Sequence, residues 1–501
     1  MPSGEILSNC VVMTLDLLLD HLRQTSLLSQ VAETSHWDQE TVMPEKGASL
    51  RAEQIGALAA TIHARQSDPQ VMEWISGLNE AELTPFDRCN VDQARRQYDK
   101  ATRIPKSLAE ASAKAASEGQ VLWTEARKQN DYAVFAPALK RNVALKREEA
   151  ACLTDGDGGL YDSLLDSFEP GAKTAEVEPL LESLRPALVS LRERIQEKPV
   201  PTALSGSFPE SNQLDLARFV AETMGYDFKA GRLDISVHPF SSGTVSDARI
   251  TTRIDEADIQ DCLFSTMHEV GHALYTQGAA HPYLPAGDYC SMGVHESQSR
   301  FWENQIGRSQ PFAEWLFPSL KTLFDTLNLR GPEELYAAVN HVQTGFVRTE
   351  ADEVHYNLHI LLRFELELEL IDGRLETEDL EAAWNMRFER DFGKAPPDAR
   401  LGVLQDVHWS AGLIGYFPTY SLGNIYSACL DEAMRADLPD RDAMVRAGEP
   451  APILDWLRER VHSRGRLLAP QDLIAEATGK APSTRPLIDY LETKFGALYD
   501  L

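Results

Sequence analysis

The stretch Phe264-Ser-Thr-Met-His-Glu-Val-Gly-His-Ala-Leu-Tyr-Thr-Gln-Gly278 constrains this chain more than any other, because it places HExxH inside a run whose apolar residues recur at helical spacing. His268 and His272 stand four residues apart. On a helix that is about one turn, so both imidazoles leave one face and can reach a single tetrahedral metal at about 2.0–2.1 Å. Zinc is the expected metal, with cobalt or manganese able to support the same chemistry. Glu269 is turned about 100° from His268, which sets its carboxylate beside the metal rather than on it. There it is placed as a general base toward a water whose pKa the metal brings to about 7. The fold must then bring a third ligand to this helix and leave a fourth position open.

The segment Gly293-Val-His-Glu-Ser-Gln-Ser-Arg-Phe-Trp-Glu-Asn304 supplies the best candidate in Glu296, 24 residues after His272. That gap allows a loop and a second, antiparallel helix. The residues after His272 run Ala-Leu-Tyr-Thr-Gln-Gly, which excludes the short HExxHxxGxxH arrangement. Glu303 is the competing carboxylate, and a plain surface role is open to both.

The rest of the chain reads as mostly helical. From Leu15 to about Arg65 two helices are expected around the break Ser35 to Gly47, where Pro44 and Gly47 stop one before the other begins. Further helices cover Asp92 to Thr102 and Ser107 to Asn130, with no strand signal up to residue 150. Thr154-Asp-Gly-Asp-Gly-Gly159 lacks the spacing and closing Glu of a calcium loop and reads as a turn. Around Lys198-Pro-Val-Pro201 the composition breaks, which suggests a hinge.

Between Gly231 and Ile254 the texture changes to alternating and β-branched residues around a Gly turn, which predicts a short antiparallel sheet just ahead of the HExxH helix. Such a sheet can pair an extended peptide by its backbone. His238, Asp247 and Arg249 on it face either the cleft or solvent. Gly331 to Ile371 reads as one long helix on which Arg348, Asp352, His355 and His359 form a polar row, part of it lining the cleft. Arg348 is suited to grip a substrate carboxylate, and Asp352 to orient a metal-bound imidazole; an internal Arg–Asp salt bridge is the alternative. His359 reads as a core histidine. Gln405, Asp406 and His408 lie beside Trp409, and Tyr420 follows; a His or Tyr donor near the metal would stabilise a tetrahedral oxyanion.

Charge and cysteines narrow the class further. With 77 acidic against 48 basic side chains the net charge is −29, which disfavours nucleic acid and anionic membrane as partners. The six scattered cysteines form no CxxC pair and read as reduced, and neither an export signal nor a membrane span is expected, so a cytoplasmic enzyme fits.

Five motifs stand in order: DxRxT at Asp247 to Thr251, HExxH at His268 to His272, HESQS at His295 to Ser299, VRxxAD at Val347 to Asp352 and GxxQDxHW at Gly402 to Trp409. With WDxxTxMPxxG at Trp37 to Gly47 and HPF at His238 to Phe240, the set resembles the carboxypeptidase Taq family of metallocarboxypeptidases. The resemblance implies a large helical body with a deep substrate groove and a small sheet beside it, a homodimer, and release of single residues from peptides with a free C-terminus. By the same likeness His268, His272 and Glu296 hold the metal and Glu269 is the base. Arg348 binds the terminal carboxylate, while His238, Arg249, His408 and Tyr420 contact substrate or transition state. Residues 1–501 are then one catalytic domain, with a helical part to about 200, a metal-site part from about 201 to 430 and C-terminal helices from about 431. Two other readings remain, a zinc endopeptidase or oligopeptidase of the same chemistry and a catalytically silent helical peptide-binding protein.

Overall fold

The computed structural model describes residues 3–501 apart from 155 and 157, with side chains described from residue 14 onward. Asp155 and Asp157 of the calcium-like turn thus lie outside the described residues. The chain is mainly helical with one small sheet, as expected. Helices used below are α1 (Ser3–Thr41), α2 (Ala48–Gln66), α3 (Pro85–Arg103), α4 (Ile259–Gln277), α5 (Met292–Arg300), α6 (Pro332–Val339), α7 (Glu353–Asp372) and α8 (Pro418–Asp437). The first helix runs to Thr41, into the stretch where the sequence places the break, and stops just before Pro44.

Two apolar clusters organise the packing. A small one ties the N-terminal helices together through Leu18, Leu22, Val71, Ile75, Val91 and Ala94. The main core extends from Ala126 to Tyr499 and encloses α4, α7 and α8. On α4 twelve of the nineteen positions are buried, and apart from Gln260 and Gln277 near its ends the half-exposed residues fall on one stripe, Asp261, Ser265, His268, His272 and Thr276. That stripe repeats every three or four residues, the helical period. Burial on the other sides therefore fixes which way the two imidazoles point. At Gly271 the α4 backbone crosses α5 so closely that a Cβ would lie 2.6 Å from the Ser299 Cα, and this approach brings the helix that carries His268 and His272 against the helix that carries Glu296.

The sheet departs from expectation. Strands β1 (Gly231–Ile235), β2 (Ser241–Thr244) and β3 (Asp247–Thr252) lie in the order β1-β3-β2. Only β2 and β3, joined by Val245 and Ser246, form an antiparallel hairpin, whereas β1 pairs parallel with β3, Gly231 against Ala248 through Ile235 against Thr252. The sheet is mixed because residues 236–240 carry the chain across β3 before β2 begins, so β1 meets the far edge of β3 running the same way.

The expected helix from Gly331 to Ile371 is two helices. It breaks after Val339, passes through Arg348–Glu350 as a 3-10 turn, and restarts at Glu353. Asp352 does not orient a metal ligand. Its Oδ1 caps α7 by accepting from the Val354 and His355 amides at 3.0 Å each, and its carboxylate holds the His355 imidazole. Arg348 therefore sits ahead of the helix, and the polar row on α7 is His355, His359, Arg363 and Glu367, all buried within the core instead of lining a cleft. His359 is a core histidine, wedged against Phe388 and Phe392 with its pKa pulled down by burial and by Arg363.

Candidate metal centre

His268, His272 and Glu296 offer ligand atoms that all lie within 4.8 Å of one another. Glu296 Oε2 is 3.6 Å from His268 Nε2 and 3.5 Å from His272 Nε2. Two donors at about 2.1 Å from one tetrahedral ion sit about 3.4 Å apart, so the two distances from Glu296 match the spacing that a zinc-sized divalent cation requires.

The neighbours of the triad settle which nitrogens face it. Glu303, which the sequence offers as a rival ligand, lies behind His268, with Oε2 2.9 Å from Nδ1. It comes from the π-helical stretch Phe301–Gly307 that continues α5, and Arg300 and Arg308 hold it in place. Burial works against its ionised form, but Arg300 and His268 win and keep its carboxyl well below the usual range. With Nδ1–H donating to this carboxylate, Nε2 would be left with a lone pair free for a metal. His272 Nδ1 lies 2.5 Å from His295 Nδ1. One of the two must carry the proton, and where a metal took Nε2 of His272 that one would be His272. Burial lowers the His295 pKa to about 4, consistent with a neutral acceptor. Glu296 itself is braced by Arg300, Nε to Oε1 at 2.7 Å, and by Ser299.

Glu269 is buried on the next position of α4, and burial lifts its carboxyl to about 7 against the opposing pull of His268. A cavity of about 670 Å³ opens over these groups. Beside His268, Glu269, His272 and Glu296 it is bordered by α1, by residues 239–245 around β2, and by Tyr416 and Tyr420.

Other residues singled out by the sequence fall at varying distances from this cavity. Tyr420 borders it, and its hydroxyl lies 3.2 Å from His408 Nε2. His408 has its pKa lowered to about 4 by burial, and its Nδ1 stays without a hydrogen-bond partner. Arg348 stands behind Tyr420, its guanidinium carbon 4.9 Å from the ring centre, with Nε on Asp406 at 2.9 Å and another nitrogen on the Tyr356 hydroxyl at 3.1 Å. Asp406 also takes Arg363, Nε to Oδ2 at 2.7 Å, so one carboxylate serves two guanidinium groups. Arg249 pairs with Asp247 and stacks 4.2 Å over Trp37, and His238 is exposed; the structure does not bring either to the border of the cavity. The five cysteines whose side chains are described are free, and among the described residues no helix is long and apolar enough to cross a membrane.

Comparison with known proteins gives a uniform result. The sequence profile of the carboxypeptidase Taq (M32) metallopeptidases matches residues 17–495. Thermostable carboxypeptidase 1 of Thermus thermophilus is 43% identical over 500 residues, covering 96% of this chain and 98% of that protein. Carboxypeptidase 1 of Bacillus subtilis is 35% identical over 492 residues, covering 96% and 97%. The crystal structure of the M32 carboxypeptidase from Deinococcus radiodurans R1 superposes with a TM-score of 0.93 at 36% identity, covering 98% of this chain and 100% of that one.

Proposed function

The chain belongs to the carboxypeptidase Taq (M32) metallopeptidases, a family of peptide hydrolases that use a divalent metal, and from this premise we propose that it releases single C-terminal residues from peptides at a zinc centre held by His268, His272 and Glu296. The observation that carries the proposal is the spacing of the three ligand atoms, 3.6 and 3.5 Å from the shared Glu296 oxygen to the two imidazoles. Cobalt or manganese would satisfy the same donors.

When bound, the metal supplies Lewis acidity and brings water toward ionisation near neutral pH. Glu269 is the general base. Its carboxylate takes the proton from the attacking water and passes it to the leaving amine, and a carboxyl lifted to about 7 can do both near neutrality. Tyr420, which borders the cavity and is hydrogen-bonded to His408, is the candidate to donate to the developing oxyanion. Arg348 receives the terminal carboxylate once the Tyr420 ring in front of it gives way, and a guanidinium grips such a group in two parallel bonds. His238 and Arg249 enter as substrate contacts on the strength of the HPF and DxRxT motifs alone. The outer strand β2 borders the cavity and would offer backbone groups to an extended peptide in a groove there. The whole chain acts as one catalytic domain of broad specificity, as a cytoplasmic homodimer, in keeping with the family resemblance.

The test is mass spectrometry of product ladders from one peptide with a free and with an amidated C-terminus, each with and without chelator. Stepwise loss of single residues from the free-ended peptide alone, abolished by chelator, is expected. Internal cleavage of the amidated peptide would make the protein an endopeptidase instead, and no cleavage of either would leave a binding protein.

A further inference from the structure

Glu169 is a buried carboxylate far from the motifs, in the segment between Leu165 and Ala172, and its two oxygens bind two different helices. Oε2 accepts the Gly293 amide of α5 at 3.0 Å, and Oε1 accepts the Tyr426 hydroxyl of α8 at 3.0 Å. The first three amides of α5 have no partner within the helix and need one from outside. Each has it: Met292 donates to the Phe168 carbonyl at 2.9 Å, Gly293 to Glu169, and Val294 to the Ser291 hydroxyl oxygen at 3.0 Å. Two of the three thus come from the consecutive residues Phe168 and Glu169. The fit is close enough that a Cβ on Gly293 would lie 2.6 Å from Glu169 Oε2, so only glycine lets the carboxylate reach the amide.

What α5 carries makes this seat more than a cap. Glu296 follows Gly293 by three residues, and α8, held by the same carboxylate, carries Tyr420. A ligand fits a tetrahedral site only within a few tenths of an ångström, and α5 runs so close to α8 that a Cβ on Gly423 would lie 2.5 Å from Glu296 Cγ, so the seat of α5 on α8 sets where the Glu296 carboxylate falls.

We infer that Glu169 is a positioning residue of the metal centre, seating α5 against α8 so that the Glu296 carboxylate meets His268 and His272. The inference rests on the reading of those three residues as the metal ligands.

Full-length apo protein titrated with zinc against a chromophoric chelator, with thermal unfolding of the same apo samples, tests it. Glu169→Ala should weaken zinc roughly 10- to 100-fold, the usual cost of losing a group that orients a ligand. Glu169→Gln keeps an acceptor for the Gly293 amide and a donor for the Tyr426 oxygen, and should bind zinc close to the parent. If Glu169→Ala does not fold, Tyr426→Phe takes its place: it frees the carboxylate from α8 alone and should weaken zinc by a few-fold. Parental zinc affinity in Glu169→Ala, or in Tyr426→Phe where that stands in, overturns the inference whatever happens to the melting temperature. His272→Ala run alongside separates the two levels: its loss of zinc upholds the triad, whereas parental binding in His272→Ala would remove the triad reading and this inference with it.

Discussion

Glu303 Oε2 stands 2.9 Å from Nδ1 of His268, on the side of the ring away from Glu296. A carboxylate so placed fixes the tautomer and the rotation of that imidazole, and on the proposed metal site it would tune the affinity without touching the metal. Glu303→Ala should lower zinc affinity about 10- to 100-fold while leaving the ligand count unchanged. Chelator competition on the purified chain measures this, and parental affinity would leave Glu303 with only its salt bridges to Arg300 and Arg308.

Replacing Glu269 by Gln keeps the shape of the side chain and removes the base. Zinc content should stay at the parental stoichiometry while kcat falls about 10²- to 10⁴-fold, the range for loss of a positioned proton acceptor. Metal analysis paired with turnover on a free-ended peptide decides it; a near-parental rate would refute the assignment.

Much of the centre was legible in the sequence, for reasons that also explain what was not. HExxH is local: two residues on one helical face need no tertiary information to be read together. Glu296 followed from a gap that fits a loop and a helix. Glu303 is visible in the sequence as the rival of Glu296, and the structure sets it behind His268, on Nδ1, a difference that spacing along the chain does not encode. Glu169 gave no signal, because the contact that matters joins it to Gly293, 124 residues away. In the fold, the break between α6 and α7 at residues 340–352 contains Gly345 but no proline, so the sequence marks it weakly. Along α7 the run Phe364-Glu-Leu-Glu-Leu-Glu-Leu370 looks like a solvated face, yet Glu367 is fully buried because its partners Tyr161 and Trp409 come from distant segments. The parallel β1–β3 pair depends on the path of five connecting residues, which alternation of side chains does not encode.

Arg348 makes the distinction between exopeptidase and endopeptidase action measurable. Its guanidinium is already engaged by Asp406 and Tyr356 and lies behind Tyr420, so any gain from it must appear with a substrate that brings its own carboxylate. Arg348→Ala should raise KM for free-ended peptides well above its effect on C-terminally amidated ones, by about 10-fold or more, which is the worth of a charged hydrogen-bonded pair. Equal changes for both substrates would remove the anchoring role and leave Arg348 as a structural partner of Asp406.

Glu367 should write a pH dependence into the stability of the chain. Burial raises its carboxyl from the ordinary 4.5 to about 7, although the Tyr161 hydroxyl, the Trp409 indole N–H and the Gly415 amide all donate to it and pull the other way. The folded protein therefore keeps a proton that the unfolded chain releases near 4.5. The unfolded state binds fewer protons than the native state between these values, so unfolding free energy declines as pH rises through that window. The contribution is complete below about 4.5, is lost as pH rises through about 7, and amounts at most to something on the order of 3 kcal/mol. Glu367→Gln cannot titrate. Denaturant unfolding of parent and variant at several values between pH 5 and 8 should show the variant gaining stability relative to the parent as pH rises, with the other carboxylates cancelling in the difference. A difference that stays level across that range would mean the three donors hold Glu367 ionised throughout, and the direction assigned to its pKa would be wrong.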